Sequence, residues 1–107
     1  MGIVSSIGNN KAEVLDTLKN GKSGIEHCPE YADLEFRSHV HGSINIDLDV
    51  LIDRKLKRFM GDSAAYCYVA MQEAIKDALL DENNISNNRT GLIVGQGGSS
   101  NENMLDV

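Results

Sequence analysis

Thr90-Gly91-Leu92-Ile93-Val94-Gly95-Gln96-Gly97-Gly98-Ser99-Ser100 is the stretch whose reading decides the fold. Its apolar run from Thr90 to Val94 has no alternating polar position, which predicts a strand covered on both faces. The segment Gly95 to Ser100 then reads as the turn that follows it. Such a strand belongs to a parallel sheet layered with helices. A second glycine-bounded tract, Gly2-Ile3-Val4-Ser5-Ser6-Ile7-Gly8-Asn9-Asn10, opens the chain.

Outward from the first stretch, Asp81 to Arg89 is a polar connection rich in Asn and Ser, and Asp62 to Leu80 is the longest regular helical pattern. At about 100° per residue, Ala64, Tyr68, Met71, Ile75 and Leu79 fall in one narrow arc, opposite Asp62, Glu73, Lys76 and Asp77, which predicts burial along one side. Asp49 to Met60 reads as a shorter helix. Glu35 to Ile46 has strand character, with Phe36, Ser38, Val40 and Gly42 alternating against Arg37, His39 and His41. Lys22 to Leu34, which holds Pro29, reads as a loop. Asn10 with Glu13 marks a capped helix start, and Gly21 sits where a left-handed residue ends that helix. Asn101 to Val107 begins another helix, capped by Asn101 or Ser100. The alternation implies an α/β layered architecture with parallel pairing. Two strands do not complete such a sheet, so the element order implies more chain.

The chain has 107 residues, 41% of them apolar, enough for one small domain. Sixteen acidic against ten basic residues give a formal charge of −6, which disfavours nucleic acid and anionic membranes as general partners. Cys28 and Cys67 are far apart in sequence and no apolar leader is present, so the expectation is a cytoplasmic protein without disulfides. No run reaches the roughly 18 apolar residues of a membrane span.

Several candidate sites fail on their chemistry. In the turn from Gly95, a dinucleotide fingerprint would need glycine where Ser100 stands, and the Lys-Ser/Thr of a phosphate loop is absent. His39 and His41 share one strand face and could supply two zinc ligands, with His27 and Cys28 as distant completions, but nothing in the spacing requires convergence. Cys67 lies in the long helix, about 60° from the centre of its apolar arc, and reads as a packed thiol. Cys28 has no glycine-framed elbow. These residues imply no cofactor and no metal.

The basic run is the most specific local signal. In Asp53-Arg54-Lys55-Leu56-Lys57-Arg58-Phe59-Met60, four of the ten basic residues occupy five positions. Helical spacing puts Arg54, Lys55 and Arg58 within about a 100° arc, and Ile52, Leu56 and Phe59 opposite. The helix is expected to dock through that apolar side and display its charge outward to an anionic partner. A merely solvated helix face is the competing reading. Nucleic acid fits less well, because the patch is short and no aromatic residues are interleaved with it.

Four segments in order resemble the β-ketoacyl-acyl carrier protein synthase family, its bacterial type I members most closely: Gly2-Ile-Val-Ser-Ser-Ile-Gly-Asn, Gly21-Lys-Ser-Gly-Ile, Leu51-Ile-Asp-Arg-Lys-Leu-Lys-Arg-Phe-Met and Gly91-Leu-Ile-Val-Gly-Gln-Gly-Gly. Glu26 to Glu35 matches less well. The resemblance implies a thiolase-like fold of two similar α/β halves, assembled as a homodimer. It implies a decarboxylative Claisen condensation, in which an acyl group passes from acyl carrier protein to a cysteine and malonyl-carrier protein then loses carbon dioxide and attacks the thioester. The family's cysteine elbow and two histidines have no counterpart here, so no catalytic residue is assigned to Cys28, Cys67, His39 or His41. The carry-over is the docking surface: Arg54, Lys55 and Arg58 align with basic residues that receive the acidic face of acyl- or malonyl-loaded carrier protein.

Met1 stands where the family has a short apolar strand ending in glycine. Residues 1–107 are therefore expected to be an incomplete N-terminal portion of the synthase N-terminal domain, lacking its first strand and everything after the glycine-rich turn, as a truncated gene product or misassigned start would be. The alternative is a small non-catalytic carrier-protein-binding or regulatory module; a metal-binding module ranks behind it. Expressed alone, the chain is expected to be marginally stable, aggregation-prone and devoid of synthase activity. A cooperative melt of a monodisperse monomer would contradict the expected marginal stability.

Overall fold

The computed structural model describes residues 1–98 and 100–105. The chain divides into two compact units, one of residues 3–46 and one of residues 1–2 with 47–107.

In the unit of residues 3–46, the opening tract folds into a tight turn. The Ser5 N–H donates to the Gly8 carbonyl at 2.9 Å and the Gly8 N–H to the Ser5 carbonyl at 3.3 Å. Gly8 then passes so close to the next helix that a Cβ there would lie 2.6 Å from the Val14 nitrogen. That helix, α1 (Lys11–Lys19), starts on Asn10, whose side chain accepts from the Glu13 N–H. The Glu13 carboxylate returns to the Asn9 N–H at 2.7 Å, one residue before the position an ordinary capping box uses. Gly21 has φ +61°, and the Gly21 and Lys22 N–H groups donate to Leu18 and Thr17 carbonyls, closing the helix as predicted.

The expected loop at 22–34 contains β1 (Ile25–His27) and α2 (Pro29–Asp33). Pro29 stands at the start of α2, where its missing N–H costs nothing. The strand predicted over 35–46 is confined to β2 (Val40–Gly42), because α2 ends through Leu34, Glu35 and Phe36. β1 and β2 pair antiparallel, Glu26 opposite His41. Cys28 is the buried apolar side chain of this unit among the described residues.

The second unit is helical. α3 (Leu48–Leu51) and α4 (Arg54–Lys57) precede α5 (Asp62–Asp77), α6 (Glu82–Ile85) and α7 (Asn101–Leu105). Gly61 offers α5 no side-chain cap, and Asn103 of α7 supplies one: its Oδ1 accepts from the Asp62 N–H at 3.0 Å. Gly2 lies against the middle of α5, where a Cβ would fall 1.7 Å from the Ala70 carbonyl oxygen. A side chain at that position requires the backbone to move.

Three expectations are corrected. The predicted strand over Thr90–Val94 is not formed, and Leu92, Ile93 and Val94 are exposed. Among the described residues no strand lies beside it, and an unpaired apolar segment has no ladder to join. The pairing seen among them is a two-stranded antiparallel ribbon rather than a parallel sheet. The arc of α5 is not its buried side: Met71 and Leu79 are exposed, and Ala65 is the buried residue. The expected helix at 101–107 is α7, with Asp106 and Val107 outside the described residues, as is Ser99 of the glycine turn.

The helix predicted to Leu80 closes earlier, at Asp77. The Leu79 N–H donates to the Lys76 carbonyl at 3.1 Å and the Leu80 N–H to the Ile75 carbonyl at 3.2 Å, with Leu79 at φ +57°. The geometry is that of Gly21, imposed on a residue with a Cβ. Leu79 is 89% exposed, so its side chain contributes little packing to offset the strain. Leu79→Gly is expected to raise stability by about 0.5–1 kcal/mol, read as a higher denaturation midpoint. A lower midpoint would mean that the leucine side chain is buried in solution.

Candidate functional site

The basic run does not form the single helix expected over 49–60. Asp47 caps α3, its carboxylate accepting from the Asp49 N–H at 3.1 Å, and Asp53 caps α4, accepting from the Lys55 N–H at 2.8 Å. Between them Ile52 is extended, at φ −123° and ψ 134°. Its side chain is 3% exposed, so the break is where the segment anchors. The competing cap at Asp53 and the burial of Ile52 together outweigh helix continuation across the junction.

α4 is one turn, and Arg58 follows as its C-cap in a helical conformation, so Arg54, Lys55 and Arg58 keep the angular relation that local spacing predicts. Together with Asp53 they line a shallow open depression of about 540 Å³. None of the three forms an ion pair among the described residues. All three are exposed.

Lys57 has a different assignment. Its Nζ contacts the Asp49 carboxylate at 2.5 Å, joining α4 to α3. The Lys57 hydrogen bond and charge, with a smaller pull from Arg54, hold the Asp49 carboxyl below its ordinary value against a slight opposing effect of desolvation. The outward-facing charge is thus the trio rather than all four cations. The expected apolar side is corrected: Ile52 is buried, but Leu56 is half exposed and Phe59 is 78% exposed. The arc that grouped them was drawn through a break in the helix. The Arg58 guanidinium carbon lies 4.6 Å from the centroid of the Phe59 ring.

The other candidates remain apart. His41 meets Glu26 at 3.6 Å, whereas His39 pairs edge-to-face with His27 at 6.3 Å between centroids. Among the described residues no group of three or more His, Cys, Asp or Glu side chains could hold a metal ion. Cys28 is buried, and its N–H donates to the His39 carbonyl at 2.7 Å. Cys67, expected to be packed, is exposed on α5. Among the described residues no helix is long and apolar enough to cross a membrane.

The family model of the β-ketoacyl synthase N-terminal domain matches residues 1–107. The chain belongs to the β-ketoacyl synthase family. It is 58% identical over 104 residues to a 3-oxoacyl-[acyl-carrier-protein] synthase 1 of Haemophilus influenzae, covering 97% of this chain and 26% of that protein. The corresponding synthase 1 of Escherichia coli is 50% identical over 94% of this chain and 25% of its own length. A 3-oxoacyl-[acyl-carrier-protein] synthase 2 of Staphylococcus aureus is 33% identical over 91% and 24%. The chain therefore spans about a quarter of the length of these relatives.

The Asp49–Lys57 pair has a direct test. Because the Asp49 pKa is depressed in the folded state, the pair's stabilisation is present above the unfolded value and is lost as pH falls through the folded one. Lys57→Met is expected to move the Asp49 carboxyl titration upward, toward the ordinary aspartate range, in an NMR pH series. An unchanged midpoint would show that the pair is not formed in solution.

Proposed function

We propose that this chain is the carrier-docking part of a condensing enzyme of fatty-acid synthesis, an acyltransferase that joins an acyl thioester to malonyl-acyl carrier protein with loss of carbon dioxide. The observation that carries the reading is the exposed trio Arg54, Lys55 and Arg58, which forms no ion pair among the described residues of a chain of formal charge −6. Family membership and the relatives' names support the carrier protein as the anionic partner.

The physical role of the trio is recognition rather than bond making. Two guanidinium groups and an ammonium offer diverging donors to carboxylates on a partner surface, and complementary charge speeds encounter and fixes orientation. The acyl transfer and the carbanion attack would be performed by a cysteine and two histidines outside these 107 residues. Cys28 is buried and Cys67 is exposed on α5, and this reading assigns the nucleophile's role to neither. A cytoplasmic homodimer is the setting the family resemblance implies.

Arg54→Glu with Arg58→Glu, made in the full-length polypeptide, is expected to weaken carrier-protein binding at low salt by about tenfold or more, since each reversal replaces attraction by repulsion. The difference should shrink as salt is raised and the screening length falls. Turnover of carrier-linked substrate should slow in parallel, mainly through KM. Unchanged binding at low salt defeats the docking assignment. Carrier binding by the unsubstituted full-length polypeptide without any acyl transfer would favour a non-catalytic module.

A further inference from the structure

We propose that Phe59 is a positioning residue for the docking surface: its exposed ring holds the Arg58 guanidinium in the orientation that meets a carboxylate of the carrier protein. The inference rests on the docking role of the trio and adds a residue that carries no charge. Ile52, at 3% exposure, is the anchor of the segment, and Phe59 is 78% exposed beside Arg58. The Arg58 guanidinium carbon lies over its ring, 4.6 Å from the centroid.

The chemistry favours arginine for this arrangement. A guanidinium is planar and weakly hydrated, so stacking on an aromatic face leaves its edge N–H groups available to a bidentate carboxylate. Stacking also restricts a long side chain before the partner arrives, which lowers the ordering cost of docking. Arg54 and Lys55 have no such ring contact among the described residues. Lys57, the remaining cation of the run, is held by Asp49. Arg58 is thus the pre-ordered member of the trio, and Phe59 is what orders it. The Arg58 backbone is fixed as well: its N–H donates to the Arg54 carbonyl at 3.4 Å at the end of α4, where positive charge is favoured.

The test uses the full-length polypeptide and holo acyl carrier protein, with Kd measured by calorimetry across a salt series. Phe59→Leu keeps the charge and an apolar side chain but removes the π face. It is expected to weaken binding by about two- to fivefold at every salt concentration, with the salt dependence unchanged. Phe59→Trp should restore the wild-type affinity, which a role in packing alone would not predict. Arg58→Ala should weaken binding and flatten the salt dependence, and adding Phe59→Leu to it should cost nothing further. If Arg58→Ala weakens binding while Phe59→Leu does not, or if tryptophan fails to rescue, the positioning role is overturned and the trio stands. If Arg58→Ala itself has no effect, the docking reading of Arg58 fails first.

Discussion

Burial of Ile52 is the constraint on which the basic surface depends. The residue is extended between two one-turn helices, each too short to persist through its own hydrogen bonds. With the side chain anchored, Asp47 and Asp53 can satisfy the free N–H groups of α3 and α4, and Lys57 can reach back to Asp49. Those contacts decide which cations remain outward. Release Ile52, and Arg54, Lys55 and Arg58 lose their fixed relation although their charges persist.

Much of the remaining order comes from helix ends rather than from a deep core. Among the described residues only Cys28, Ile52 and Ala65 are buried apolar side chains, whereas α1, α2 and α5 close through the same pair of C-terminal hydrogen bonds. In α2 the motif places Phe36 against Tyr31, with centroids 5.3 Å apart, and so adds a side-chain contact to the backbone closure. α6 carries a reciprocal cap between Asp81 and Asn84. Caps of this kind contribute on the order of 1 kcal/mol each. They fix direction at the helix ends without fixing distant elements together.

This division explains what was legible in the sequence. The cap of α1 at Asn10, its end at Gly21 and the start of α5 at Asp62 follow from local capping and periodicity, and the structure has them. The concentration of charge at 54–58 was equally visible. What failed depended on partners. Leu92 to Val94 have the composition of a covered strand, but composition specifies a need for neighbours and does not supply them. The arc containing Met71 and Leu79 named apolar residues correctly yet could not name the surface that would cover them. The wheel through Ile52, Leu56 and Phe59 failed for a different reason: it assumes one continuous helix, whereas Ile52 precedes the cap of α4 at Asp53 and Phe59 follows its C-cap at Arg58. A carboxylate two positions before Lys55, in the same relation as Asp47 to Asp49, was the available signal.

The proposed docking surface differs physically from a condensing centre. Once Ile52 is anchored, the caps of α3 and α4, the Lys57–Asp49 contact and the Arg58–Phe59 contact all lie within residues 47–59 and need only short-range closure. A nucleophile and its activating bases must be brought together from elements far apart in sequence, and their positions depend on a completed sheet and its covering helices. Local caps tolerate an exposed Leu92–Val94 segment, and catalytic alignment does not. On the proposed function, recognition and chemistry would therefore fail independently: charge reversal would disable encounter and leave the chemistry intact, and loss of sheet packing would disable chemistry and leave the cationic turn formed as long as Ile52 stays anchored.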